Sequence, residues 1–342
     1  MFLKESWYVF GWERDLDQAG GILGRVIIGE PVVIWRTAGG ELRAMADRCP
    51  HRHAPLSRGR VEGDSIRCMY HGMTLGSDGR CTGMPLLDEP PDAGVRVYPV
   101  VAKDSWLWVW MGNPENADES FIPDAFGIDD PAQPMRASSI EYQANFQLVH
   151  DNLCDLSHVD FVHSGTLRVA SGAWWSQSAP RIHAQGRALR FERWFIDADY
   201  PGKPGEKVDT WISYDFVLPG IFILRGARYP AGTAAAFEGK EPVGIEPLVR
   251  NIEQQAVTPM TERTTAYHYA TGLVGSTPEM TARLAERMDV VMAAFEEDRQ
   301  MIEAQQKIWD LTPPETAMVF LPQDRGPFQM RRMLRKAIEN QG

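Results

Sequence analysis

The first hundred or so residues alternate short apolar runs with turn signals. RVIIG (25–29), PVVIWRT (31–37), AGGELRAMAD (38–47) and VRVYPVVAKDSWLWVWMG (95–112) each read as strand, bounded by Gly, Asp or Pro. Gly39-Gly40 and Asp78-Gly79 predict hairpin turns. In SWLWVWM, Trp106, Trp108 and Trp110 fall on one strand face and Leu107, Val109 and Met111 on the other, so both faces should be covered. After Gly112 the texture changes to GNPENADESFIPDAFGIDDPAQP (112–134), whose prolines and acidic residues suit a linker or surface loop. Beyond it the pattern predicts a helical segment around 145–163, several strands over 181–272 and one long C-terminal helix. That helix opens on the capping signal Thr277-Pro278-Glu279 and runs to Trp309, with an apolar stripe of Leu284, Met288, Val291, Phe295, Ile302 and Trp309. Strands and helices are segregated without βαβ alternation, which predicts an α+β chain.

Composition narrows the class. The 342 residues carry 44% apolar and 24% charged side chains and a net charge of −11, enough chain for two domains, expected at 1–115 and 116–342. No run of Lys and Arg makes a phosphate-binding face, so neither nucleic acid nor an anionic membrane is an expected partner. The first residues, MFLKESWYVFGWERDL, show no long apolar core and no small-residue cleavage site, so a secretion signal is not expected, and no apolar run reaches spanning length. Four cysteines argue for a reducing compartment, and the chain is expected to be cytoplasmic.

Two of those cysteines carry chemistry. CPHRH (49–53) and CMYHG (68–72) each pair a Cys with a His, Cys49 with His51 and Cys68 with His71, in a spacing that suits two loops at the ends of a hairpin. Tetrahedral zinc takes two Cys and two His; a Rieske [2Fe-2S] centre places two thiolates on one iron and two imidazoles on the other. Zinc fingers group Cys with Cys and His with His, whereas here each loop offers one of each, so the spacing decides for two irons. Cys81, Cys154 and His53 have no partner at a ligand spacing and read as ordinary packing or surface residues.

A cluster that moves single electrons needs an acceptor, which directs attention to DNLCDLSHVDFVH (151–163). Asp155 and His158 share one helical face. His158 and His163 are five apart, about 500° of rotation, and converge only if the helix bulges or ends between them. Two histidines and a carboxylate with open positions suit a non-haem Fe(II) site that activates O2, although a solvated helix face plus a stray histidine has the same spacing. The carboxylate should come from elsewhere: Asp298 lies on the apolar stripe between Phe295 and Ile302, while Glu296, Glu297 and Arg299 step off it, and Glu303 is the fallback.

These residues together resemble the oxygenase component of Rieske non-haem iron oxygenases, nearest the vanillate O-demethylase and dicamba monooxygenase group. The likeness runs through WYVF (7–10), CPHRHAPLSRG (49–59), CMYHGMTLGSDGRC (68–81), NFQLVHDNLCDLSHVDFVH (145–163) and FEEDRQMIEAQQ (295–306). It implies an all-β Rieske domain followed by a helix-grip-like catalytic domain of antiparallel sheet plus helices. By position, Cys49, His51, Cys68 and His71 would hold the cluster and His158, His163 and Asp298 the mononuclear iron. Asp155 matches the acid whose carboxylate bridges a cluster histidine of a neighbouring subunit to an iron-ligating histidine, and Asn152 matches a position near the iron. The resemblance therefore also implies a head-to-tail homotrimer. Met73 departs from the tryptophan usual after Tyr-His-Gly.

The likeness implies a function as well. An NAD(P)H-dependent reductase, with or without a ferredoxin, would feed electrons to the cluster, and they would pass through His71, Asp155 and His158 to the iron, with O2 as co-substrate. The expected outcome is O- or N-demethylation of a small aromatic with release of formaldehyde, in aromatic compound catabolism. Ring hydroxylation or dihydroxylation is the alternative, and a pure electron-transfer protein or a zinc-stabilised binding module the more distant ones. The pocket walls should include 164–175, the strand Ile221–Arg225, Met288 and Val291. Arg168, Arg225 and His268 could meet a substrate carboxylate, but each reads first as a surface or structural residue.

Overall fold

The computed structural model describes residues 1–128, 130, 134–167, 174–201, 203–273 and 278–341, the stretch 278–282 by its backbone alone. Thr277 and Arg168 lie outside the described residues. Two compact units emerge: Met1–Asp124 with Thr258–Arg263 and Gln341, and Ala125–Val257 with Thr264–Asn340.

The first unit is built of strands β1 (Trp7–Trp12), β2 (Ile22–Ile27), β3 (Glu30–Arg36), β4 (Leu42–Ala46), β5 (Arg60–Glu62), β6 (Ser65–Arg67), β7 (Thr74–Leu75), β8 (Cys81–Gly83), β9 (Val100–Lys103) and β10 (Trp106–Trp110), with one short helix, α1 (Glu13–Gln18). They form sheets of order β1-β10-β9, β2-β3-β4 and β5-β6-β7-β8. Strand β10 is buried on both sides, as its alternation required: Leu107, Val109 and Met111 join a core with Phe10, Val32 and Ile34, while Trp110 packs edge-on against Trp7 at 5.6 Å. A second core of Val33, Trp35, Leu56, Ile66 and Leu75 includes Cys49, Cys68, Met73 and Cys81. It fixes the two cysteine loops at the base of the β5–β6 hairpin.

The second unit contains strands β11 (Met135–Tyr142), β12 (Arg181–Gln185), β13 (Ala188–Asp199), β14 (Lys207–Val217), β15 (Ile221–Pro230), β16 (Val249–Pro259) and β17 (Thr265–Leu273). They make one seven-stranded sheet, ordered β11-β17-β16-β15-β14-β13-β12. Its helices are α2 (Phe146–Cys154), α3 (Val159–Val162), α4 (Thr233–Ala236), α5 (Pro278–Leu311) and α6 (Arg325–Glu339). Helix α5 packs on β11 and β17, where Phe295 meets Tyr267 and Tyr269 edge-on at 5.1 and 4.6 Å.

Three expectations are corrected. The helical segment 145–163 is interrupted as expected, but its main break comes before His158 and not between the histidines: α2 ends at Cys154, Asp155 is extended, a 3₁₀ turn spans Leu156–His158, and α3 comes next and ends at Val162. Asp155 therefore caps a turn and does not share a helix face with His158; its carboxylate takes the Ser157 N–H at 2.9 Å, as short acidic side chains do at helix starts. Trp309 lies outside the core, 43% exposed, because the α5 stripe outruns the sheet that covers it. Finally, α5 is followed by a second amphipathic helix, α6, which Arg331 ties to Asp151 of α2.

Candidate metal centres and substrate cavity

The two cysteine loops share one construction. In each, the residue four after the cysteine donates its N–H to the cysteine carbonyl, His53 to Cys49 at 2.8 Å and Gly72 to Cys68 at 2.9 Å. Both closing residues are left-handed, with φ of 56° and 80°, a conformation that Gly accepts freely and His less so. His53 is thus a loop-closing residue. Each cysteine N–H is held as well, by Ala54 and Met73 carbonyls at 2.8 Å. The thiols face inward, each 2% exposed, while His51 and His71 lie at the surface with ring centroids 4.6 Å apart.

That arrangement fits a two-iron cluster, with thiolates on the inner iron and imidazoles on the outer. Burial pushes the Cys49 thiol up, and neighbouring Cys68 adds to the effect, so a metal is what would hold Cys49 as a thiolate. Met73 places its sulfur 3.8 Å from Cys49 Sγ and fills the space beneath the loop.

In the second unit, the break after α2 brings distant residues together. Donor atoms of His158, His163 and Asp298 all lie within 4.8 Å of one another. His158 Nε2 is 3.5 Å and His163 Nε2 is 3.3 Å from Asp298 Oδ1. The chain achieves this by changing from a 3₁₀ turn to α-helix directly after His158 and ending that helix at His163.

The outer nitrogens set the chemistry. His158 Nδ1 lies 2.6 Å from the Asp155 carbonyl oxygen and His163 Nδ1 2.9 Å from Glu297 Oε2. Carbonyl and carboxylate oxygens only accept, so in the neutral rings each Nδ1 carries the hydrogen and each Nε2 turns its lone pair toward Asp298. Three electron-rich donors facing one point, in a largely buried place, require a cation. Burial lowers the proton affinity of His163, but Asp298 and Glu297 outweigh it and leave its pKa raised. Asn152 donates to Asp298 Oδ1 at 3.0 Å and lies 3.4 Å from His158 Nε2.

Glu297 joins the site although it sits one position off the apolar stripe, where sequence patterning gives no sign of it. It accepts from Thr166 Oγ1 at 2.6 Å as well as from His163. Within the chain, His158 Nδ1 lies against the Asp155 carbonyl oxygen and not its carboxylate, of which one oxygen, Oδ1, accepts the Ser157 N–H. The fallback Glu303 takes the Gln143 N–H at 2.9 Å instead of joining the site. Asp160 receives Ser176 N–H at 2.7 Å. Arg225 pairs with Asp215 at 2.9 Å, and His268 is buried beside Ser139 at 2.7 Å.

Beside this centre opens a cavity of about 300 Å³, in which Asn152, His158, His163 and Asp298 form one part of the lining. Its apolar walls come from Ile212, Phe222, Leu224 and Phe295. A bulge between Phe195 and Ala198 lets both face inward. Since roughly 150 Å³ suffices for benzene, a substituted aromatic ring fits.

Residues 6–99 match the family description "Rieske [2Fe-2S] domain" and residues 142–340 match "Vanillate O-demethylase oxygenase C-terminal domain". The chain is 34% identical to the iron–sulfur subunit of a toluene-4-sulfonate monooxygenase system from Comamonas testosteroni, covering 99% of this chain and 98% of the relative. It is 30% identical to the oxygenase component of chloroacetanilide N-alkylformylase from Rhizorhabdus wittichii, over 100% and 97% of the two chains. Among solved structures, dicamba monooxygenase bound to 3,6-dichlorosalicylic acid superposes with a TM-score of 0.85 at 25% identity, over 99% of this chain and 98% of that one.

Proposed function

The chain belongs to the Rieske non-haem iron oxygenases as an oxygenase component, and from that premise we propose that it demethylates a small aromatic substrate at oxygen or nitrogen. Its cofactors are a Rieske [2Fe-2S] cluster and a mononuclear iron. When bound, the cluster supplies single electrons and the iron supplies O2 activation. In the proposed assignment Cys49, His51, Cys68 and His71 hold the cluster, and His158, His163 and Asp298 hold the iron. The observation that carries the iron assignment is the convergence of two Nε2 atoms on Asp298 Oδ1, at 3.5 and 3.3 Å, with an acceptor fixed behind each ring at Nδ1.

This chain's residues do the rest. Glu297 and the Asp155 carbonyl hold the tautomers, Asn152 steadies the Asp298 carboxylate, and the apolar walls exclude water from the reacting carbon. The overall balance is R–OCH3 with O2, two electrons and two protons giving R–OCH2OH and water; the hemiacetal then collapses to R–OH and formaldehyde. A reductase drawing on NAD(P)H, directly or through a ferredoxin, provides the electrons. The toluene-4-sulfonate and chloroacetanilide relatives support a multicomponent system acting on small aromatics.

A head-to-tail homotrimer is part of the proposal. Around His71 the side chains of Met69 and Tyr70 are 56% and 59% exposed. Asp155 and His158 line a groove of about 670 Å³ with Trp309, Phe320 and Phe328, all three exposed. Two exposed apolar rims, each around a polar group able to exchange a hydrogen bond, support apposition of His71 of one subunit with Asp155 of the next. Among the described residues no helix is long and apolar enough to cross a membrane; that none of the four cysteines is in a disulfide supports the proposed cytoplasmic setting.

The test is oxygen uptake and formaldehyde release with a surrogate reductase across methoxylated and N-methylated aromatics. Formaldehyde in step with oxygen consumption is the expected result. Ring-hydroxylated product without formaldehyde would move the assignment to a hydroxylase, and no uptake by enzyme loaded with both metals would leave only electron transfer.

A further inference from the structure

Period-two alternation along β15 turns Phe222, Leu224 and Arg228 into the cavity, with Gly226 between the last two in the same phase. Arg225, in the opposite phase, is spent on Asp215. The other charged residues of this part of the wall are matched: Arg287 is bound by Glu253 and by Thr271 Oγ1 at 2.8 Å, and Asp199 pairs with Lys207 at 2.7 Å. Among the described residues no carboxylate pairs with Arg228. A guanidinium cannot shed its proton to escape burial, so it is left with a positive charge in a largely apolar chamber. Burial first, and then the charge of Arg287, lower its pKa, which is the electrostatic mark of a place that favours an anion.

The neighbouring glycine serves the same end. A Cβ on Gly226 would lie 2.4 Å from Asn251 Oδ1, so the missing side chain makes room for the Asn251 carboxamide in the cavity wall near Arg228. A planar guanidinium fork with five N–H donors, the Asn251 carboxamide in the same lining and an apolar remainder make a receptor for a planar or tetrahedral oxyanion on a ring.

We infer that Arg228 docks the anionic group of the substrate, so that this cavity takes an aromatic carboxylate or sulfonate in preference to a neutral ring. The inference rests on the proposed reading of this cavity as the substrate site. It makes Arg228 a specificity-determining residue that anchors the ligand by its charged end while the His158, His163 and Asp298 centre meets the carbon to be oxidised.

The experiment is calorimetric binding to the holoenzyme, without turnover, of four probes: 4-methoxybenzoate, 4-methylbenzenesulfonate and their neutral counterparts 4-methoxybenzamide and 4-methylbenzenesulfonamide. Wild type is expected to favour one or both anions by roughly tenfold or more, about 1.4 kcal/mol, and the favoured pair identifies the oxyanion. Arg228→Gln should bring the ratio near unity, and Arg228→Lys should retain part of it, since an ammonium keeps the charge without the fork. Cluster and iron content report whether each variant is folded. No anion preference in wild type, or an unchanged ratio in a folded Arg228→Gln protein, overturns the inference. The two readings fail separately. Arg228-dependent anion binding with no oxygen uptake would sink the catalytic proposal alone, whereas formaldehyde from neutral substrates with no dependence on Arg228 would sink this one alone.

Discussion

Glu297 donates nothing to the proposed iron position, yet its removal should be felt there. Its Oε2 accepts from His163 Nδ1 at 2.9 Å and from Thr166 at 2.6 Å, and so determines which nitrogen of His163 is free to bind metal. Glu297→Gln keeps an oxygen that can accept the same N–H and removes only the charge. That side chain is 33% exposed, so water already screens part of the charge. The loss should sit at the low end of the range for groups behind a ligand, about tenfold in Fe(II) affinity or about 1.4 kcal/mol. Glu297→Ala removes the acceptor as well. The ring can then carry its hydrogen on Nε2, where it blocks ligation, and the loss should approach a hundredfold, about 2.7 kcal/mol. The assay is Fe(II) titration of chelator-stripped protein, with the cluster absorbance and reduced-state EPR signal as internal controls. An alanine variant that binds iron like wild type, or that loses the cluster too, would refute the reasoning.

Three further outcomes are expected. His158→Ala and Asp298→Ala should lose mononuclear iron and turnover while keeping the cluster spectrum; loss of the cluster in either would contradict two independent centres. Asp155→Asn can still cap Ser157 through its side-chain oxygen and keeps the carbonyl that holds His158, so both metals should remain while oxygenation with reductase slows severely; wild-type turnover would remove Asp155 from the electron path. His150 is fully buried among Phe146, Phe216 and Phe222, and burial pushes its pKa down from 6.5 to about 3. The unfolded chain therefore takes up a proton below pH 6.5 that the fold refuses, so stability is full above that pH and falls toward pH 3, by about 2 kcal/mol at pH 5. The stability difference between wild type and His150→Leu in denaturant melts should shift in favour of the variant between pH 7.5 and pH 5; an equal difference at both would contradict it.

What the chain discloses before folding depends on how local the determinant is. The cluster loops are legible because both Cys-His pairs lie inside short segments whose residue types have few other uses. Asp298 is legible through periodicity, since a carboxylate on an apolar stripe is costly unless something compensates it. Glu297 is hidden because its partner lies 134 residues away and nothing in its own helix distinguishes it from a solvated glutamate. The three-part break across 154–163 can be expected only as a distortion, because a 3₁₀ turn and a frayed helix leave the same polar pattern. Periodicity marks β15 as a wall but does not favour Arg228 over Arg225. Arginines three apart on a strand have opposite phases, and which phase faces the cavity is decided by β14 and β16 pairing on either side.

The break after α2 also explains how one histidine can serve two tasks. Asn152 and His158 line both the substrate cavity and the groove that contains Asp155. His158 is therefore part of the partition between them: its Nε2 faces Asp298 and its Nδ1 faces the main chain of Asp155. Had 151–163 been one continuous helix, Asp155 would have directed its carbonyl along the helix axis to a backbone N–H and could not have held the ring. Extending the backbone at Asp155 frees that carbonyl for His158 and points the carboxylate into a turn at the groove. In the proposed mechanism electrons then arrive from the groove side while substrate enters from the cavity side, so a ligand anchored at Arg228 can fill the chamber without obstructing the route by which the iron is reduced.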